Sequence, residues 1–245
     1  MMRFLLVVAL LAVMPEAAHA QQSATDLLNL PVNGSVSAWI IRTFGLLTIL
    51  SVAPGILIMV TSFPRFIIAF SILRSGIGLS TTPSNMILTS MALFMTFYVM
   101  APTMDRAWQQ GAQPLLQNQI DEAEAVQRIA QPFPEFMIAN VRDKDVALFV
   151  DIARERGQTV TLGAQTDYRV LIPAFMLSEI RRGFEIGFLI VLPFLVIDMI
   201  VASITMSMGM MMLPPTSISR PFKILFFVLI DGWNLLVGSL GRSFS

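Results

Sequence analysis

Two apolar runs, residues 184–212 and 222–240, limit this chain more than anything else in its sequence, since each can cross a bilayer as a helix. A span needs about 20 mostly apolar residues. Between them "LPPTSISRP" (residues 213–221) holds the prolines and the arginine, Arg220, expected of a turn, so the pair is predicted to form a helical hairpin. A second hairpin is predicted upstream. Residues 38–63 are apolar and long enough to span, interrupted by "APG" at 53–55 and closed by "FPR" at 63–65; a shorter run, residues 85–100, stops at Pro102. "RFIIAFSILRSGIGLSTTP", bearing Arg65 and Arg74, is read as their connector. Proline inside a spanning helix removes a backbone bond and bends it, so both hairpins are expected to be bent.

Composition agrees with a membrane class and narrows the chemistry. Apolar residues make up 55% of the chain, charged residues 13%, net charge is zero and the sequence has no Lys/Arg cluster, so nothing suggests binding to nucleic acid. At the N-terminus Arg3, an apolar run over residues 4–14 and "AHA" at 18–20 make a cleavable secretory signal, followed by a polar leader, residues 21–37. Cleavage removes His19, the only histidine, and the chain has no cysteine. Neither the common zinc sites nor Cys or Ser-His nucleophiles can then be built. No enzyme activity, cofactor or metal is expected.

From 103 to 182 charged residues recur, and a water-exposed domain is predicted. "NQIDEAEAVQRIAQP" suits a helix stopped by Pro132, "NVRDKDVALFVDIARERGQ" a helix stopped by Gly157, and "TVTLGAQTDYRVLIP" a short extended piece. The predicted fold class is an all-α membrane protein: two bent helical hairpins, residues 38–102 and 183–245, with a small, mainly helical polar domain, 103–182, inserted between them. With the leader outside, Arg65, Arg74 and Arg220 fall on the cytoplasmic side and the polar domain on the periplasmic side.

Several charges lie where lipid would be. Glu185, Asp198, Lys223 and Asp231 interrupt the apolar arms, and each costs about 2.5 to 3.5 kcal/mol or more at bilayer depth unless it faces protein or water. A reversal near Met210 and Met211 brings Asp198 level with Lys223; a reversal at Pro214 brings it level with Asp231. Glu179, Arg182 and Glu185 share one helix face at spacings of three and can pair there. Gly183 and Gly187 form a G-x-x-x-G that permits close helix packing. Met206, Met208, Met210, Met211 and Met212 crowd the tip of the hairpin, either filling gaps in its core or forming a loop of their own.

Residues 171–233, from "LIPAFMLSEIRRGFEIGF" through "MSMGMMMLPPTSISRPFKILFFVLIDGW", and residues 62–102, "SFPRFIIAFSILRSGIGLSTTPSNMILTSMALFMTFYVMAP", closely resemble the FliP family of flagellar export-gate subunits and its injectisome counterparts. The resemblance implies a pentameric ring assembled with FliQ-like and FliR-like subunits and other membrane proteins of the type III export apparatus. Unfolded secreted polypeptides would cross the bacterial inner membrane through it, within the flagellar basal body. It further implies that Met208, Met210, Met211 and Met212 line a pore gate, that Asp198, Lys223, Glu179, Arg182 and Glu185 are buried or inter-subunit charges, and that the hairpins are bent and lifted from the bilayer plane. A secondary transporter, the other class with broken helices and embedded charges, would need more spans and an evident pocket.

Overall fold

The structure, a computed structural model, describes residues 43–44, 47–48, 51, 55, 58–158, 167–209 and 214–244. The signal and leader, residues 1–37, and the triplet Met210, Met211 and Met212 lie outside them. Among the described residues every regular element is helical. They are α1 (Phe63–Gly76), α2 (Asn85–Ala107), a π-helical turn (Trp108–Ala112), α3 (Gln113–Leu116), α4 (Glu122–Ala130), α5 (Pro132–Asn140), α6 (Asp143–Glu155), α7 (Tyr168–Ser207), α8 (Pro215–Leu229) and α9 (Gly232–Arg242). Two helices are long and apolar enough to cross a membrane, Asn85–Leu116 and Tyr168–Ser207, and α8 with α9 makes a third if the bent pair is one span. The fold class is therefore all-α with membrane-spanning character.

Compact packing divides the chain into two units: Met1–Ile58 with Pro102–Pro132, and Met59–Ala101 with Phe133–Ser245. In the first, Asp121 caps α4 by accepting from the Glu124 amide at 2.7 Å, and the apolar stripe Ala125 and Ile129 is buried. Gly111 in the π turn gives that stripe room, since a Cβ there would stand 2.4 Å from Ile129 Cγ1.

The second unit holds the main core. Phe66, Ala69, Phe70 and Leu73 of α1 recur at helical spacing and are buried with Leu88 and Ala92 of α2, Phe194 of α7, Phe227 of α8, and Leu236 and Leu240 of α9. Phe194 meets Phe226 edge-on at 5.8 Å and Phe227 at 6.2 Å between ring centres. α6 ends as its sequence suggests, with Gly157 just past it at φ +71°.

Four local expectations are corrected. The segment read as a connector is helix α1: Pro64 falls in its first turn, where a missing N–H costs nothing, so "FPR" opens a helix. Pro102 does not stop α2, which runs on to Ala107; a proline is tolerated within a long apolar helix. Of the piece read as extended, residues 159–166 lie outside the described residues, and from Tyr168 the chain is α7, started by the Asp167 carboxylate accepting from the Arg169 amide at 2.9 Å. The return arm begins at Pro215 rather than 222 and breaks by 62° between Leu229 and Gly232.

Candidate functional site

α1 lies along α7, and the contacts climb both helices together. Glu179 meets Arg65. A Cβ on Gly183 would lie 3.0 Å from the Arg65 carbonyl and 3.1 Å from Ile68 Cβ, one on Gly187 3.0 Å from Ile72, and one on Gly76 2.4 Å from a Val191 methyl. The helices are thus parallel, and three missing side chains let their backbones approach. In apolar surroundings such contact, with interhelical hydrogen bonds, is what holds helices together. A charged cluster closes each end of this seam.

At the N-terminal end of α1, the Arg65 and Glu179 side chains are both fully buried. Arg65 makes a fork on the carboxylate, Nε donating to Oε2 at 3.0 Å and Nη2 to Oε1. Nη1 donates to the Ser243 carbonyl at 3.0 Å and to the Ser243 hydroxyl at 2.7 Å. A buried ion pair offsets its desolvation only when its remaining donors find acceptors, and here they do.

At the other end, Lys223 of α8 donates to Asp198 Oδ2 at 2.5 Å and to the carbonyl of Gly76, the last residue of α1, at 3.0 Å. Ser219 donates to the other Asp198 oxygen at 2.6 Å. The ammonium thereby joins α7, α8 and the C-terminus of α1, the end of a helix where a cation is favoured. Arg220, the next polar residue along, lies against the α1–α2 connector, its Nε 3.7 Å from a Cβ built on Gly78.

Asp198 and Lys223 come together, whereas Asp231 sits at the α8–α9 break and accepts from Asn234 at 3.1 Å. Glu179 pairs with Arg65 rather than Arg182, and Glu185 pairs with Arg181 at 3.0 Å and Arg142 at 3.5 Å. Arg182 remains on the same helix, half-buried. Met208 caps the C-terminus of α7 and is exposed, as is Met206. Arg65, read from sequence as a connector charge, is instead an interior partner and so carries no weight in orienting the chain. Its flanks, "FPRF", were the available signal.

Both charge clusters fall on stretches matched by a family model, described as the FliP family, which covers residues 46–240. The chain belongs to the FliP family. It is similar along the whole length of both chains to the proteins named Flagellar biosynthetic protein FliP of Agrobacterium fabrum, 76% identical over 245 residues, and Rhizobium meliloti, 71% identical over 244. It is also 47% identical over 200 residues to the protein of that name in Bacillus subtilis, covering 81% of this chain and 89% of that one. The FliP-family match takes in the α1–α7 seam, Asp198 and Lys223, and stops short of Ser243.

Proposed function

We propose that this chain is a channel-forming subunit of the flagellar type III protein export gate. Several copies, a pentameric ring, combine with FliQ-like and FliR-like subunits and the other membrane proteins of the export apparatus. Together they pass unfolded flagellar polypeptides across the inner membrane, with a periplasmic portion formed by the polar region. The subunit does no chemistry of its own. Family membership supports the export role, and the flagellar names of the three relatives support a flagellum over an injectisome.

The observation that supports the pore reading is the exposed apolar surface of α7 and α8, the helices that flank residues 210–213 in sequence. Met199 and Ile204 of α7 and Leu225 and Val228 of α8 are exposed, as are Met206 and Met208 at the C-terminal end of α7. Apolar faces left open on both arms suit packing against further subunits. Methionine is unbranched and deformable, so a collar of Met208, Met210, Met211 and Met212 can close on itself or on a passing chain of any sequence. An apolar constriction also blocks ions by dewetting.

The test is to replace Met210, Met211 and Met212 together by glycine, in a complex co-expressed with its neighbouring subunits, and record ion conductance across a planar bilayer. The complex should assemble and leak ions where the wild type is closed. Conductance unchanged from wild type would remove the gasket. Normal flagellin export by cells lacking the chain would remove the export role itself.

A further inference from the structure

α9 ends at Arg242, and the two residues after it are tied into the core of the second unit. Ser243 gives both its carbonyl and its hydroxyl to Arg65 Nη1. Phe244 places its ring 3.4 Å from the guanidinium carbon of Arg65. The same ring stacks on Phe66 of α1 at 5.8 Å and on Phe136 of α5 at 6.1 Å, and Phe136 in turn packs edge-on against Phe175 of α7 at 5.9 Å. Two elements distant in sequence, α1 and α5, converge on these two residues.

Arg65 explains why this matters. Glu179 occupies Nε and Nη2, and the acceptors of Nη1 among the described residues both belong to Ser243. With Ser243 and Phe244 in place the side chain has no exposed surface, so these bonds are made away from water. Without residues 243 and 244 the guanidinium loses both protein acceptors of one arm and the aromatic cover of one face, which weakens the docked position of α1. The contact joins residues 178 positions apart.

We propose that Ser243 and Phe244 form a locking strap, through which seating of α1 in its groove on α7 depends on the residues that follow α9. α1 and α7 are synthesised first and can meet early. Their charged contact is complete only when α8 and α9 have turned back and carried the last residues onto Arg65. The closing step is then local, since Leu236 and Leu240 are already buried in the core just before the strap. A chain that is truncated, or whose last arm is misplaced, keeps an incompletely bonded cation beneath α1 and is marked for degradation. The strap lies beyond the residues matched by the family model.

The test uses the purified full-length protein in detergent, digested with a carboxypeptidase and followed by intact mass. Trimming of the wild type should stall at Phe244. Arg65→Gln should be trimmed past Phe244 faster by about tenfold to a hundredfold, the range expected for lost hydrogen bonds to a charged group. Phe136→Leu leaves the ion pair whole and loosens only the ring stack; it should give an intermediate rate, and it carries the test if Arg65→Gln loses its helical circular dichroism. In cells, a chain ending at Phe244 should match the full chain in half-life, and one ending at Arg242 should be degraded about tenfold faster. Wild-type trimming through Ser243 at the rate of the variants would overturn the strap. So would equal half-lives for the chains ending at Arg242 and Phe244.

Discussion

Lys223 and Asp198 form an unequal partnership: the lysine side chain is 6% exposed and the aspartate 28%. Their removal should therefore differ in cost. Asp198→Ala leaves a buried ammonium with only the Gly76 carbonyl, and about 3 kcal/mol of stability should be lost. Lys223→Met leaves a carboxylate that still reaches water and still accepts from Ser219, so about 1 to 2 kcal/mol is expected. Exchanging the charges should recover less than half of the loss, because a carboxylate at 223 would face the Gly76 carbonyl, acceptor against acceptor. Denaturation of the detergent-solubilised protein, read by circular dichroism, checks this; full recovery by the exchanged pair would show that the Gly76 contact is incidental.

The glycine seam makes a sharper prediction, because it names a suppressor. A methyl group on Gly76 meets two Val191 methyls at 2.4 and 2.6 Å, so Gly76→Ala should cost about 1 to 3 kcal/mol as overpacking. Val191→Ala removes the obstacle and should restore most of that in the double variant. No such rescue exists for Gly183→Ala, whose methyl meets the Arg65 backbone carbonyl at 3.0 Å. A double-mutant cycle on thermal midpoints measures the coupling, and additive costs for Gly76→Ala and Val191→Ala would contradict the seam.

What could be read from the sequence follows the range of the interactions. Asp121 before α4, Gly157 after α6 and the apolar spacing within each helix act over one or two turns, and periodicity suffices to place those helices. The approach of Asp198 to Lys223 follows from the position of a hairpin tip, which sequence narrows to two registers. Arg65 is different. Its partner lies 114 positions away, and the same Arg, Pro and Gly content that builds α1 also describes a turn, so only the three-dimensional seam tells helix from connector. The break at Asp231 is hidden for another reason, since apolar residues run through it and the short-range packing of Gly232 and Trp233 on Phe227 leaves no mark in the hydrophobic pattern.

Ser178 on α7 is a small junction whose loss should loosen α6 selectively. Its hydroxyl donates to Asp145 Oδ2 at 2.6 Å and accepts from the Arg142 amide at 3.1 Å, which fastens the start of α6. Asp145 is buried, so Ser178→Ala leaves a carboxylate short of a donor and an amide short of an acceptor, costing about 1 to 3 kcal/mol. Hydrogen exchange over residues 143–155 should accelerate about tenfold or more, while exchange in α1 stays at the wild-type rate. Uniform acceleration across the second unit would mean that Ser178 supports global stability instead.

The elbow between α8 and α9 should resist straightening, and two neighbouring substitutions should act in opposite directions. Asp231 sits at φ 50° in the left-handed region, which costs an ordinary L-residue roughly 1 to 2 kcal/mol, while Gly232 has no room for a side chain because a Cβ would lie 2.1 Å from the Phe227 ring. That ring is itself held edge-on by Trp233 at 5.4 Å, so it cannot yield without opening the core. Asp231→Gly relieves the backbone and gives up only the exposed bond from Asn234, and it should leave the thermal midpoint unchanged or raise it. Gly232→Ala should lower the midpoint and release α9 from Leu236 onward, detectable as faster hydrogen exchange in residues 232–242. If Gly232→Ala behaved like the wild type while Asp231→Gly destabilised, the elbow would be set by the aspartate's hydrogen bond and not by the contact with Phe227.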